Sequence, residues 1–395
     1  MDKHKQKLND INAIEHESLP QVKTDQIRTS AKNSKPVRTK FGSVKKLKWL
    51  KKGPLTRKEL VLFGAALIVI VATGCGLIWW MNQVVFSEDS PMFATKKTDT
   101  KYYSPLSGIE VVDEAATKRA VTAVMIENSD AARPQSGLAE ADVVFEAVAE
   151  GGITRFIALY QPSRPALIGP VRSLRPYYVD WAAGFDPSVA HVGGSPESLD
   201  MIRSGNYGVD VDQFFNAGSY WRANDRYAPH NVYTNSDRLD DLNASKGKTT
   251  STFTFSPRID EKKSATPTAS HIDIAVSSGM FGVSYGYNQE TNTYNRSQGG
   301  EPHIDREKGQ ISPKVVVALK TNVSLAGDGS HMAIATAGSG TAYVFQNGTV
   351  IEGTWSKAGT RDQLFIKDAE GKDIALVRGQ TWITTIANER SVTWQ

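Results

Sequence analysis

Val121-Thr122-Ala123-Val124-Met125-Ile126-Glu127 is an apolar run that ends on a carboxylate. The pattern returns downstream. Val143-Val144-Phe145 runs into Glu146, Glu150-Gly151-Gly152 opens onto Ile153-Thr154-Arg155-Phe156-Ile157, and Ile168-Gly169-Pro170-Val171 leads to Arg172-Ser173-Leu174-Arg175. Such short apolar runs, bounded by Gly and Pro, read as strands. A charge at the end of a buried strand must be paired, hydrogen-bonded or in contact with a ligand, because an isolated buried charge is very costly. The block from 121 to 175 is therefore either an ion-pair network or a binding site.

Outward from this block, strands and helices alternate over 104–245. Strands are expected at 120–126, 142–149, 153–160 and 188–192. The spacing of Tyr178, Trp181, Ala182 and Phe185 predicts a helix over 175–185. Ser195-Pro196-Glu197 reads as an N-cap, a Pro at N1 and a first-turn carboxylate, opening a helix to about Arg203. A further helix starts at Ser236-Asp237 and runs through Asn243. Residues 246–269, rich in Lys, Ser, Thr and Pro, read as a linker or long loop. From His271 the pattern turns to strands: 272–276, 315–319, 341–345, 350–353, 363–366 and 381–386, with Asn347-Gly348 a strong hairpin turn signal. The expected fold class is α+β: an N-terminal α/β domain (104–245), then a mostly antiparallel β-rich domain (270–395).

On the other side of the block lies a charge boundary. The chain has 395 residues and a net charge of +4, but residues 1–58 hold 16 Lys and Arg against 5 Asp and Glu, which leaves −7 for 59–395. The outer part is thus mildly acidic, so no nucleic acid is expected there. The basic arm is polar and poor in aromatics, so disorder is expected over 1–58. Between arm and outer part, 60–81 carries no charge and is long enough to cross a bilayer as a helix. Trp79 and Trp80 mark its far end, and Lys45, Lys46, Lys48, Lys51, Lys52, Arg57 and Lys58 its near end. The positive-inside rule then predicts a single-pass membrane helix (59–82), a cytoplasmic arm attracted to anionic lipid headgroups around Lys45 to Lys58, and an extracytoplasmic remainder after a spacer at 83–103. Ala72-Thr73-Gly74-Cys75 looks somewhat like a lipoprotein box, but the apolar run continues past it. The favoured reading of Cys75, the only cysteine, is an unmodified residue within the helix.

Five constellations could carry chemistry. Glu127, Glu146 and Glu150 could serve as acid, base or nucleophile in sugar chemistry, or pair with Arg155, Arg172 or Arg175. Glu146 and Glu150 share a parity along one strand and so could share a face. Arg133, Arg172 and Arg175 supply forks for a carboxylate or phosphate, with Arg172 and Arg175 placed to converge on an anion at a helix N-terminus. His191, ahead of Gly193-Gly194-Ser195, ends a strand whose following amides suit an oxyanion. Arg222, His230 and Asn231 lie among Trp221, Arg226 and Tyr227, as in sites for sugars or peptides, with His230 a candidate general base. His303 and Asp305 share a face of an extended segment, but no metal-site spacing accompanies them and no metal is expected. No motif asks for a cofactor. Glu127, Glu146, Arg155, Arg172, Arg175 and His230 are expected to line one cleft.

These stretches resemble the YerB-like bacterial lipoprotein family. The resemblance runs through Ala123 to Asn128, Ala132-Arg133-Pro134-Gln135-Ser136-Gly137-Leu138, Glu150 to Phe156, Ile168 to Ser173, Ala228-Pro229-His230-Asn231, Tyr294-Asn295-Arg296, Pro302-His303-Ile304-Asp305 and Gly379 to Ile383. It covers about 104–395 and implies a two-domain extracytoplasmic protein of unestablished function, with no catalytic assignment. Members commonly carry a lipoprotein signal, whereas this chain has a long basic arm and a spanning helix. Three functions stay open: binding of an anionic or glycan cell-envelope ligand, such as a cell-wall glycan or peptide; a peptidoglycan hydrolase or transferase using paired glutamates; and a non-catalytic interaction module.

Overall fold

The computed structural model describes residues 56–84 and 100–395. The expectations for the basic arm and for most of the spacer lie outside the described residues. The chain divides into two units, Met1–Lys97 and Thr98–Gln395.

The described part of the first unit is one helix, α1 (Arg57–Val84). Thr56 and Glu59 open it as a capping box: the Glu59 carboxylate accepts from the Thr56 amide at 3.0 Å and from its hydroxyl at 2.9 Å. The span Arg57–Met81 is long and apolar enough to cross a membrane.

The second unit is a mixed α/β structure. Its main strands, in chain order, are β1 (Val121–Glu127), β2 (Val143–Val148), β3 (Thr154–Tyr160), β4 (Pro187–His191), β5 (Val209–Asp212), β6 (His271–Ile274), β7 (Val283–Asn288), β8 (Thr293–Gln298), β9 (Glu301–Pro302), β10 (Val315–Thr321), β11 (Gly338–Gln346), β12 (Thr349–Lys357), β13 (Phe365–Lys367), β14 (Thr381–Ala387) and β15 (Val392–Trp394). Its longer helices are α2 (Pro176–Ala183), α3 (Pro196–Arg203) and α4 (Ser236–Ser245). A ten-stranded mixed sheet runs β13-β12-β11-β10-β14-β2-β3-β1-β4-β5, and a five-stranded antiparallel sheet runs β9-β8-β7-β6-β15.

One finding differs from the α+β expectation of an α/β half followed by a β-rich half. The large sheet is continuous across 246–269, because β14 pairs in parallel with β2 from Thr381↔Val143 to Thr384↔Glu146. Residues 246–269 are mostly irregular yet packed: Phe255 is buried in the core, and Arg258–Ile259 pairs with Leu376–Val377.

The two faces of the large sheet explain the apolar runs. Val121, Ala123 and Met125 pack with Tyr178, Trp181 and Phe185 of the α2 region. Val124 and Ile126 pack with Ile272, Val283 and Tyr285 of the small sheet. A strand covered on both sides needs apolar residues at successive positions, not only alternate ones. β1 is buried along its whole length.

Caps and turns follow local chemistry. Ser195 caps α3, accepting from the Ser198 amide at 3.4 Å. Asn235, one residue before the expected start, caps α4 through the Arg238 amide at 2.9 Å. Asn347 and Gly348 take φ of 58° and 79° between β11 and β12, the left-handed pair that a two-residue hairpin turn requires.

β1, β2, β4, β5, β10 and β14 all point the same way, so their carboxyl ends share one edge. From β1 the chain proceeds to β2 and β3 on one side and to β4 on the other. That makes the space beyond β1 a topological switch point, where open α/β sheets form crevices. The β1–β4 pairing stops at Val124↔Ala190. Beyond it the chain's own segment enters: Val171 bridges to Ile126, Arg172 N–H donates to the Met125 carbonyl at 2.9 Å, and Val192 N–H donates to the Arg172 carbonyl at 3.1 Å.

Candidate functional site

This wedge places Arg172 beside the end of β1. Glu127, almost fully buried, receives three partners there. His230 Nδ1 lies 2.9 Å from Oε2, Ser129 donates to Oε1 at 2.9 Å, and Arg172 Nε stands 3.4 Å from Oε1. Ser129 Oγ also lies 3.3 Å from His230 Nδ1. Among the described residues, the Arg172 terminal nitrogens and His230 Nε2 make no hydrogen bond. Their side chains are 27% and 24% exposed, so both reach solvent.

His230 lines a cleft of about 410 Å³ with Ala131, Arg133, Pro134, Asp225, Arg226, Tyr227 and Arg306. Three arginines face one carboxylate there. Arg306 pairs with Asp225 at 2.6 Å. Arg226 donates to the Ala131 carbonyl at 3.0 Å, tying the 222–231 loop to the turn after β1. Arg133 donates to Asn128 Oδ1 at 3.2 Å and to its carbonyl at 3.0 Å. Burial lowers the Arg133 pKa from its usual range. Arg222 and Asn231, both candidates from the sequence, shape this loop: Arg222 donates to Asn231 Oδ1 at 2.7 Å.

A second cluster lies beside the first. Glu150 takes Arg155 at 3.1 Å and Arg175 at closer range, with His331 Nε2 at 3.8 Å. Burial works to raise the Glu150 pKa, but the hydrogen bond from Arg175 and the charges of both arginines outweigh it and hold the carboxyl below its usual range. Arg155 ties the clusters together by donating to the Ser173 carbonyl at 2.9 Å. Arg172 and Arg175 therefore do not converge on one anion. They part, Arg172 to Glu127 and Arg175 to Glu150.

Glu146 does not join them. The strand ends at Val148, so shared parity does not carry Glu150 onto its face. Glu146 points to the opposite side of the sheet, where Arg296 of β8 donates to both carboxylate oxygens at 2.9 Å, with neither side chain exposed. Trp382 Nε1 donates to Oε2 at 2.9 Å and Thr154 Oγ1 to Oε1 at 3.1 Å. Arg296 also lies 4.6 Å from the Trp382 ring centre. His303 continues this network between Arg296 and Gln135 Oε1, the latter at 3.0 Å. Burial and the adjacent Arg296 keep its imidazole pKa well below the ordinary value. Asp305 is fully buried and caps a turn through the Glu307 and Lys308 amides, both at 3.1 Å. The six residues expected in one cleft are thus split, with Glu146 on the far face and Arg155 and Arg175 held by Glu150.

His191 is buried at the end of β4, with Nδ1 2.8 Å from the Gly193 carbonyl and Nε2 3.0 Å from Asp210. Both ring nitrogens are engaged, and the ring braces the β4–β5 edge. Among the described residues, no group of three His, Cys, Asp or Glu side chains could hold a metal ion.

Sequence reasoning missed Ser129, Arg296 and Arg306. Arg296 sits with Tyr294 and Gln298 at the inward positions of β8, buried at every second residue. Two of those three positions are polar, which hid the alternation.

Comparison with known proteins places these features. Residues 106–250 match the family described as "Protein of unknown function (DUF3048) N-terminal domain", and 272–383 match the corresponding C-terminal domain. Over 300 residues the chain is 33% identical to "Putative lipoprotein YerB" of Bacillus subtilis (strain 168), covering 74% of this chain and 88% of the other. The crystal structure of YerB protein from Bacillus subtilis aligns with a TM-score of 0.66 at 30% identity, over 74% of this chain and 100% of that one.

Proposed function

This chain belongs to the DUF3048 family, and from that premise we propose that it is a membrane-anchored extracytoplasmic protein that binds an anionic cell-envelope ligand in the cleft beside Glu127 and His230. The observation that carries this reading is the make-up of the cleft: Arg133, Arg226, Arg306 and His230 surround it, against Asp225 as its one carboxylate. Guanidinium forks suit carboxylate and phosphate oxygens. A volume of about 410 Å³ fits a group the size of a sugar phosphate or a short peptide end. Tyr227, 92% exposed at the rim, offers a ring face to a sugar or peptide.

The anchor supports the location. The apolar span 57–81 follows a Lys-rich stretch and ends on a Trp pair. By the positive-inside rule the arm faces the cytoplasm and the folded unit faces the envelope.

Co-sedimentation of the detergent-solubilised full chain with purified cell walls tests the reading. Walls that retain their anionic polymers should pull the protein down, and acid-extracted walls should not. Arg133→Ala with Arg306→Ala should weaken the interaction, and added salt should weaken it further. Equal sedimentation with both wall preparations would overturn it.

A hydrolase reading that pairs Glu146 with Glu127 has lost its geometry, since the two lie on opposite sides of the sheet and Glu146 is held by Arg296.

A further inference from the structure

We propose that the Glu127–His230 pair makes the cleft hydrolytic, and that its substrate is a phosphodiester. The proposal rests on the anion-binding reading and names the chemistry of the same site.

The geometry is that of a carboxylate-oriented imidazole. The Glu127 carboxylate is almost fully buried and accepts from His230 Nδ1 at 2.9 Å, which fixes the proton on Nδ1. In the neutral ring the lone pair then sits on Nε2, on the other edge, and His230 itself lines the cleft. Ser129 holds the other carboxylate oxygen at 2.9 Å and so sets the plane of the carboxylate. His191, buried at its strand end, has both nitrogens engaged within the fold. His230 keeps one free beside three arginines. A buried carboxylate in this position holds the tautomer and stabilises the imidazolium that forms during proton transfer.

The step balances without any further reagent. Nε2 takes a proton from a water molecule as its oxygen bonds to phosphorus. The phosphorus–oxygen bond on the opposite side breaks, the leaving oxygen takes its proton from solvent water, and the imidazolium gives its own proton back to solvent. One water is consumed, a phosphomonoester and an alcohol are released, and His230 ends neutral. Arg133 and Arg306 line the cleft beside His230 and are placed for the non-bridging oxygens, whose charge grows in the transition state, while Arg226 is held by the Ala131 and Pro134 carbonyls. His230 is the catalytic residue, while Glu127 and Ser129 are positioning residues.

The test uses the detergent-solubilised full chain and two probes, inorganic phosphate by calorimetry and bis(p-nitrophenyl) phosphate by release of nitrophenol. The wild-type chain should bind phosphate and turn over the ester. His230→Gln should lower kcat about 10²–10⁴-fold, the range for loss of a general acid–base. Glu127→Gln should lower kcat while changing KM by no more than about threefold, as expected when an interaction is made mainly in the transition state. Glu127→Asp should recover part of the loss, and circular dichroism should show all three variants folded. Phosphate binding without ester turnover, or turnover unchanged in His230→Gln, would overturn this inference and leave the binding reading standing. A wild-type chain that neither binds phosphate nor turns over the ester would overturn both.

Discussion

Glu127 at the end of β1 and His230 in the 222–231 loop meet at 2.9 Å across a sequence separation of 103 residues. The contact joins a fully buried strand to a largely exposed loop. Glu127 is set in place by strand pairing on one side and by the Arg172 wedge on the other, so its carboxylate cannot follow the loop. The loop instead docks onto the carboxylate, helped by Arg226 and its hydrogen bond to the Ala131 carbonyl. A rigid strand end thus positions a histidine carried by a loop, which is how α/β folds usually build sites at the carboxyl edges of their sheets.

The buried pair on the far face should behave differently from the cleft arginines. Arg296→Met leaves the Glu146 carboxylate buried with only Trp382 and Thr154 as strong donors. It should destabilise the chain by about 3–5 kcal/mol, the usual penalty for orphaning one partner of a buried ion pair. Adding Glu146→Gln should recover most of the loss. Urea unfolding of the single and double variants, followed by tryptophan fluorescence, measures both. Equal stability of Arg296→Met and wild type would contradict the structural role assigned to the pair.

His303 sets a pH dependence with a definite sign. Its folded pKa lies well below the ordinary imidazole value of 6.5, because burial and Arg296 oppose the cation. The unfolded chain takes up a proton below about pH 6.5 that the folded chain refuses, so this contribution to stability is present above that pH and is lost as pH falls. One such proton corresponds to a slope of about 1.4 kcal/mol per pH unit. The denaturation midpoint should therefore drop between pH 6.5 and 5. A His303→Gln variant should drop less steeply over the same interval. A parallel drop in both proteins would exclude His303 as the source.

Gly348 sits at φ of 79° in the β11–β12 turn, and a Cβ there would come within 2.6 Å of the Tyr287 ring. Gly348→Ala should cost more than about 1 kcal/mol, since strain and clash act together. Gly371, also left-handed at φ of 80° but with open space around it, offers the comparison. Gly371→Ala should cost less, by the strain alone. Thermal unfolding of the two variants ranks them.

The positive-inside reading also has a direct check. An epitope placed after Gln395 should react with antibody on cells whose wall has been removed but whose membrane is intact, and one placed before Met1 should react only after permeabilisation. The reverse pattern would invert the proposed orientation.

Much of this was legible because the sheet is buried on both faces. Val121 to Ile126 and Val143 to Phe145 are apolar at every position but Thr122, and that density announced strands whose terminal charges needed partners. Caps and the Asn347-Gly348 turn were equally readable, since each depends on residues adjacent in sequence. Partner choice was not. Glu146 finds Arg296 at a separation of 150 residues, through a strand whose inward side is largely polar. Nothing local distinguishes that arginine from Arg172, which lies nearer in sequence but on the other side of the sheet. The joining of β14 to β2 was hidden for a related reason: hydrophobic patterning shows that a strand is buried, not which strand it pairs with.

The anion-binding cleft is tested most directly by the His230 imidazole itself. With ring nitrogens of the histidines ¹⁵N-labelled in the full chain, inorganic phosphate should shift the His230 Nε2 resonance saturably while Nδ1, held by Glu127, moves little. The shift should be weakened in Arg133→Ala. A His230 spectrum unchanged by phosphate, or an Nε2 shift undiminished in Arg133→Ala, would contradict the account.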